Sequence, residues 1–191
     1  MACRLDKIVS GGQTGADRAG LDAAMDAGIR VGGYCPKGRL AEDGTVPDRY
    51  PLTELAKSGY PARTEKNVVE SHGTLILNIG KLTGGTKLTV ECARKHSKPF
   101  LIIQIDGQPS AESVINWISE NNLRVLNVAG PRESKCPGLH ARSVAFLREV
   151  FSPGSNASVT YELSEEGLIV PTETPPPGWM GTWTPQDTYR K

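Results

Sequence analysis

Three short stretches carry groups suited to holding a negative charge: "SGGQTGADR" (Ser10–Arg18), "GKLTGGTKLTVE" (Gly80–Glu91) and "AGPRESKCPG" (Ala129–Gly138). Glycine lets backbone N–H groups come close to a ligand. A helix that starts just after such a turn adds unsatisfied N–H groups and a partial positive charge, which suits phosphate. Gly11, Gly12, Gln13, Thr14 and Gly15 form one candidate cradle, and Gly84, Gly85 and Thr86 a second. Gly130, Pro131, Arg132, Glu133 and Ser134 would close the pocket. Thr14, Thr86 and Thr89 can offer hydroxyls, and Arg18 and Arg132 forked, charge-assisted contacts. Glu91 can hold ribose hydroxyls or act as a general acid or base; equally, it can pair with Lys87 or Lys95, each four positions away. A tight strand-to-helix turn explains any one glycine pair without a ligand, but three such turns at successive strand ends are harder to explain that way. Neither G-x-G-x-x-G nor the Walker A spacing is present. If Gly12 serves a ligand, a β-branched replacement weakens binding more than stability.

These stretches need elements to hold them. Lys7–Ser10, Arg30–Tyr34, Thr74–Ile79, Phe100–Ile105 and Arg124–Val128 read as strands. Ala16–Ala27, Arg63–Ser71, Thr86–Lys95, Ala111–Glu120 and Leu139–Phe151 read as helices. Strands alternating with helices predict an α/β fold: a Rossmann-like open sheet of about five parallel strands sandwiched by helices. In such a sheet ligands bind outside the carboxyl ends of the strands, where the three stretches fall. Cys35–Tyr60 reads as a long ordered loop whose Lys37 and Arg39 can cover an anion as a lid; Glu42 and Asp43 lie beside them. The expected layout is one domain over residues 1–151, then an added edge strand within "ASVTYEL" and a Pro-rich arm or tail at 152–191. Trp179 and Trp183 favour docking of that tail, for instance on a neighbouring subunit.

The bulk numbers exclude several classes. The chain has 191 residues, 38% hydrophobic and 23% charged, with a net charge of +1, so nothing argues for nucleic acid or a membrane surface. Its apolar runs are too short to span a bilayer, and "MACRLDK" lacks a signal-peptide core, so a soluble cytoplasmic protein is expected. Cys3, Cys35, Cys92 and Cys136 form no C-x-x-C pair and read as free thiols; His72, His96 and His140 lack metal-ligand spacing.

Five stretches together resemble a known family: "IVSGGQTGADRAGLDAA", "GYCPKGRLAEDGTVPDRYPLTE", "YPARTEKNVVESHGTLIL", "GGTKLTVECARKHSKP" and "LNVAGPRESKCPG". From about Ile8 to Val150 the chain is similar to the molybdenum carrier family of the Rossmann-like SLOG superfamily, relatives of LOG-type nucleotide phosphoribohydrolases and molybdenum-cofactor carriers. The resemblance implies a carrier of molybdenum cofactor, a phosphorylated pterin, or of a nucleotide-like ligand, without catalysis. It also implies a homo-oligomer, dimer or tetramer, and a molybdoenzyme as recipient. The hydrolase relatives imply an alternative, a nucleotide N-glycosidase in which Arg63 binds phosphate or the glycosidic region and Glu91 binds ribose or supplies acid/base help. Against it, Thr83 stands in place of that motif's Pro, and Lys87-Leu88 in place of its Gly-Thr. A third alternative is a nucleotide-sensing interaction protein. His72 stands where relatives often place Asp, as a ligand group or a strand-start residue. Cys35 is either a soft ligand near molybdenum or simply packed. No metal ligand set is expected; any metal arrives with its cofactor.

Overall fold

The computed structural model describes residues 5–56, 60–152, 161–163 and 169–171. Five parallel strands form the central sheet: β1 (Lys7–Val9), β2 (Arg30–Gly32), β7 (Gly73–Asn78), β8 (Phe100–Gln104) and β9 (Val125–Ala129). Between β2 and β7 lie four two-residue strands, β3 (Tyr34–Cys35), β4 (Leu40–Ala41), β5 (Gly44–Thr45) and β6 (Thr53–Glu54). The helices are α1 (Ala16–Asp26), α2 (Tyr60–Val69), α3 (Gly84–Lys95), α4 (Ala111–Glu120) and α5 (Leu139–Phe151). This is the α/β Rossmann-like architecture the alternation predicts.

The sheet order is β2-β1-β9-β7-β8. Of these five strands the last in sequence, β9, thus enters the middle, with Ile8 opposite Leu126 and Leu75 opposite Val128. Every residue of β7 is buried, which its unbroken apolar run requires of a strand covered on both faces. One core joins the sheet to α1, α4 and α5 through Ala23, Val114, Leu139 and Leu147. On the other face α2 packs on α3 through Val68, Cys92 and Ala93. The consequence for function is direct: β1, β9 and β7 are adjacent, so the turns leaving their carboxyl ends share one rim.

Two local expectations change. The run Arg30–Tyr34 is two strands, because the chain breaks at Gly33 (φ +125°). Arg30–Gly32 pairs with β1, whereas Tyr34 and Cys35 pair with Thr53 and Glu54 of β6. The long connection is therefore built, with a β4–β5 hairpin whose turn is Glu42-Asp43. In the second of two compact units, Asn156–Lys191, β10 (Tyr161–Leu163) pairs antiparallel with β11 (Ile169–Pro171). The Pro-rich stretch with Trp179 and Trp183, and Cys3, lie outside the described residues.

Candidate functional site

A cleft of about 550 Å³ opens at the carboxyl ends of β1, β9 and β7. Its floor carries Gly11, Gln13 and Asp17 from the first turn and helix α1. The turn before α3 and that helix's first residues form one wall, with Thr83, Gly84, Gly85, Thr86 and Thr89. The turn after β9 supplies Gly130, Pro131, Arg132, Lys135 and Cys136, and α2 supplies Tyr60, Arg63, Thr64 and Asn67. Helix α2 is held in place by Asn67, whose amide brackets the backbone of Tyr34: Oδ1 accepts from its N at 2.9 Å and Nδ2 donates to its O at 3.1 Å.

Charge in the cleft is one-sided. Among the described residues Arg63, Lys81, Arg132 and Lys135 line it, against the single carboxylate of Asp17. Asp17 is 5% exposed. Burial pushes its pKa up, against the Arg63 charge, N–H donors from Gln13 and Gly11, and the Arg132 charge. Arg63 reaches Asp17 Oδ2 at 3.5 Å and donates to Gly11 O at 3.3 Å from the same nitrogen, Nη1. Two donors on cleft residues are buried with no partner, Arg63 Nε and Gln13 Nε2. An unpaired buried donor costs about 1–3 kcal/mol, so an acceptor arriving there is favoured. The Thr83 side chain makes no capping bond, so the start of α3 adds uncapped N–H groups to the same wall.

The structure brings together part of the candidate set. Gly11, Gln13, Arg63, Gly84, Gly85, Thr86, Thr89, Gly130, Pro131 and Arg132 line the cleft. Thr89 also donates back to Gly85 O at 2.9 Å. The remainder serve the protein itself. Arg18 donates to Gly12 O at 3.0 Å and grips Asp43 with both terminal nitrogens, at 2.6 and 2.8 Å. Thr14 and Ser134 donate their hydroxyls to the Glu42 carboxylate, and Ser134 N adds a bond of 3.1 Å. Glu133 accepts from Gly138 N at 2.5 Å and His140 N at 2.9 Å, so it caps the start of α5 instead of facing the cleft.

Arg39, expected as a lid cation, instead staples its own loop. Its guanidinium donates to the carbonyls of Val46, Leu52, Pro47 and Tyr50. Lys37 sits in the 3-10 turn of that loop, away from the cleft lining. Glu91 lies on an exposed face of α3, 3.8 Å from Lys87. Gly12 and Gly15 do not line the cleft either. A Cβ on Gly12 would lie 2.5 Å from Leu52 Cδ1, and one on Gly15 2.5 Å from Pro131 O, and both have positive φ. They exist because the first turn is crossed closely by the long loop and by the turn after β9. His72 is at the opposite end of the sheet, accepting from the N–H groups of Arg124 and Val125 at 3.2 and 3.4 Å. Buried Cys35 donates to Thr53 O at 3.8 Å and is packed.

Polar and charged cleft residues absent from the candidate set include Tyr60, Lys81, Lys135 and Asp17. Lys81 and Lys135 stood within the two glycine-bearing turns, so charge within those turns was the signal. Asp17 lies in the first turn of α1, where an acid suits the helix dipole, so nothing in the sequence marked its burial. Tyr60 had no signal; it joins the site because its ring lies 5.7 Å from the Arg63 guanidinium and 4.9 Å from that of Arg132.

Glu42 and Asp43 carry a pH prediction. Hydrogen bonds from Ser134 and Thr14 outweigh the effect of burial and hold Glu42 below its ordinary range; the bond from Arg18 does the same for Asp43. A depressed folded-state pKa contributes stability above the unfolded value, lost as pH falls through the folded one. Amide protection of residues 40–45, measured against the intrinsic exchange rate at each pH, should therefore stay constant through neutral pH and fall only below the usual carboxylate range.

Residues 8–151 match the model of the circularly permutated YpsA SLOG family. The 1.45 Å crystal structure of a putative molybdenum carrier protein from Syntrophus aciditrophicus SB is similar at 47% identity and a TM-score of 0.73. The match covers 78% of this chain and 95% of that one. No curated protein matches. With a family match spanning every strand and helix of the cleft, the chain belongs to the circularly permutated YpsA SLOG family.

Proposed function

We propose that this protein binds a phosphorylated small molecule in the cleft and carries it unchanged, the best-supported cargo being a phosphorylated pterin of the molybdenum-cofactor type or a nucleotide-like molecule. The carrying observation is the pair of buried, partnerless donors, Gln13 Nε2 and Arg63 Nε, on residues lining a cleft with four cations and one carboxylate. Such donors fit anionic oxygen. The cleft, about 550 Å³, lies within the usual range for small-molecule pockets and far exceeds a bare phosphate, so the ligand has a body. Pterin enters through the relative's description as a molybdenum carrier. Among the described residues no group of three or more His, Cys, Asp or Glu is placed to hold a metal, so molybdenum would come as part of the cargo. The carrier reading also expects a cytoplasmic homo-oligomer that delivers to a molybdoenzyme. Among the described residues no helix is long and apolar enough to cross a membrane.

Carriage is favoured over N-glycoside hydrolysis by the carboxylates. Glu91 faces outward beside Lys87, and Asp17 is already held by Arg63 and the Gln13 backbone N–H. Glu91→Ala should change affinity for phosphorylated ligands by less than about twofold, as expected of an exposed pair. Release of base from a nucleoside monophosphate that is lost in Glu91→Ala would establish the hydrolase instead. Mass spectrometry of ligand extracted from the native protein tests the reading directly: a pterin phosphate or nucleotide supports it, and a ligand without an anionic group overturns it.

The thiols give an independent test. Cys35 and Cys92 are buried, and burial pushes both thiols up, so they should resist alkylation. Half-buried Cys136 lines the cleft and should react. Peptide mapping after iodoacetamide should show Cys136 labelling slowed by a bound phosphorylated ligand.

A further inference from the structure

We infer that the β4–β5 hairpin is a positioning element for the cleft: Glu42 docks on the rim and fixes the Gln13 amide so that its nitrogen is kept for a ligand. The inference rests on the proposed anion-binding function. Gln13 Oε1 accepts two backbone N–H groups, from Glu42 at 2.9 Å and Thr14 at 3.0 Å. Turning the amide over would set its NH2 against both of those donors. Its orientation is therefore imposed, and the nitrogen is the group left buried and partnerless.

Half of that clamp comes from a segment outside the cleft lining. The Glu42 amide reaches Gln13 only while the hairpin tip is docked. Docking is done by side chains: Glu42 accepts from the Thr14 and Ser134 hydroxyls and from Ser134 N, and Asp43 forks with Arg18. Glu42 thereby also ties the turn after β1 to the turn after β9, the two turns that supply Gln13 and Arg132. Thr14, Arg18 and Ser134 act on the ligand through this clamp, without touching it. Glu42 is thus a positioning residue that works through Gln13.

The experiment compares Gln13→Ala, Glu42→Ala/Asp43→Ala, their combination and Glu42→Gln in the full chain. Calorimetry with inorganic pyrophosphate reads affinity, and ¹⁵N-resolved exchange of the Gln13 side-chain amide reads orientation without ligand. Gln13→Ala should weaken pyrophosphate about tenfold, as for a lost bond to a charged acceptor. Glu42→Ala/Asp43→Ala should weaken it by a similar factor and speed exchange of the Gln13 amide. The combination should be no worse than Gln13→Ala alone, and Glu42→Gln should recover most of the affinity. Unchanged Gln13 exchange in Glu42→Ala/Asp43→Ala, or losses that multiply in the combined variant, would overturn the inference. If the wild type ignores pyrophosphate while Gln13 exchange responds to the hairpin variant, the positioning stands and the anion-binding reading fails.

Discussion

Arg132→Gln weakens binding of phosphorylated ligands by roughly 10- to 150-fold and leaves the fold standing. That range corresponds to about 1.5–3 kcal/mol for a hydrogen bond to a charged partner. Arg132 is the better choice of the two cleft arginines because its guanidinium rests on the Tyr60 ring, 4.9 Å from its centre. Arg63 pairs with Asp17, and removing it would leave a buried carboxylate short of its strongest counter-charge. Calorimetry with pyrophosphate and with adenosine monophosphate reads the affinity, and thermal unfolding reads the fold. Raising salt should narrow the gap between wild type and variant, because the lost interaction is electrostatic. Affinity unchanged in Arg132→Gln would remove the cleft as the anion site.

Gly12→Val destabilises the protein before it tests any ligand. The first turn reads as a cradle, which assigns Gly12 to binding; the packing assigns it to stability. Its φ is +72°, where an L side chain is strained. Its Cβ would lie 2.5 Å from Leu52 Cδ1 and 3.0 Å from Val46 Cγ1, both buried residues. Strain of about 1–2 kcal/mol and overpacking of about 1–3 kcal/mol add to roughly 2–5 kcal/mol, a large share of a domain's usual 5–15. Urea unfolding should show the unfolding free energy fall by that amount, read as a lower midpoint at unchanged slope. Retained stability with lost ligand affinity would return Gly12 to the site.

Much of the cleft was legible in the chain before folding. The runs at Thr74–Ile79 and Arg124–Val128 mark buried strands, and glycine-rich turns follow both them and the first strand. Arg132, Gly84, Gly85 and Gln13 were legible there, as was Arg63 through the family motif, because a turn between a strand and a helix must fall at the sheet's carboxyl edge. Arg18, Thr14, Ser134 and Arg39 were not. An arginine fork or a threonine hydroxyl satisfies a carboxylate or a carbonyl as well as it does a phosphate, and the nearest acceptor takes it. For Arg18 that acceptor is Asp43, 25 positions away, and for Ser134 it is Glu42, 92 positions away.

The sequence by itself determined the alternation of elements, the parallel sheet and the anion-friendly chemistry of the turns, since periodicity and glycine placement are local properties of the chain. Only the tertiary structure decided that β9 inserts between β1 and β7, that three turns thereby share a rim, and that the Glu42–Asp43 hairpin consumes part of that rim. The reason is that strand neighbours and polar partners are selected by long-range packing, and no local pattern encodes which group will lie nearest in space.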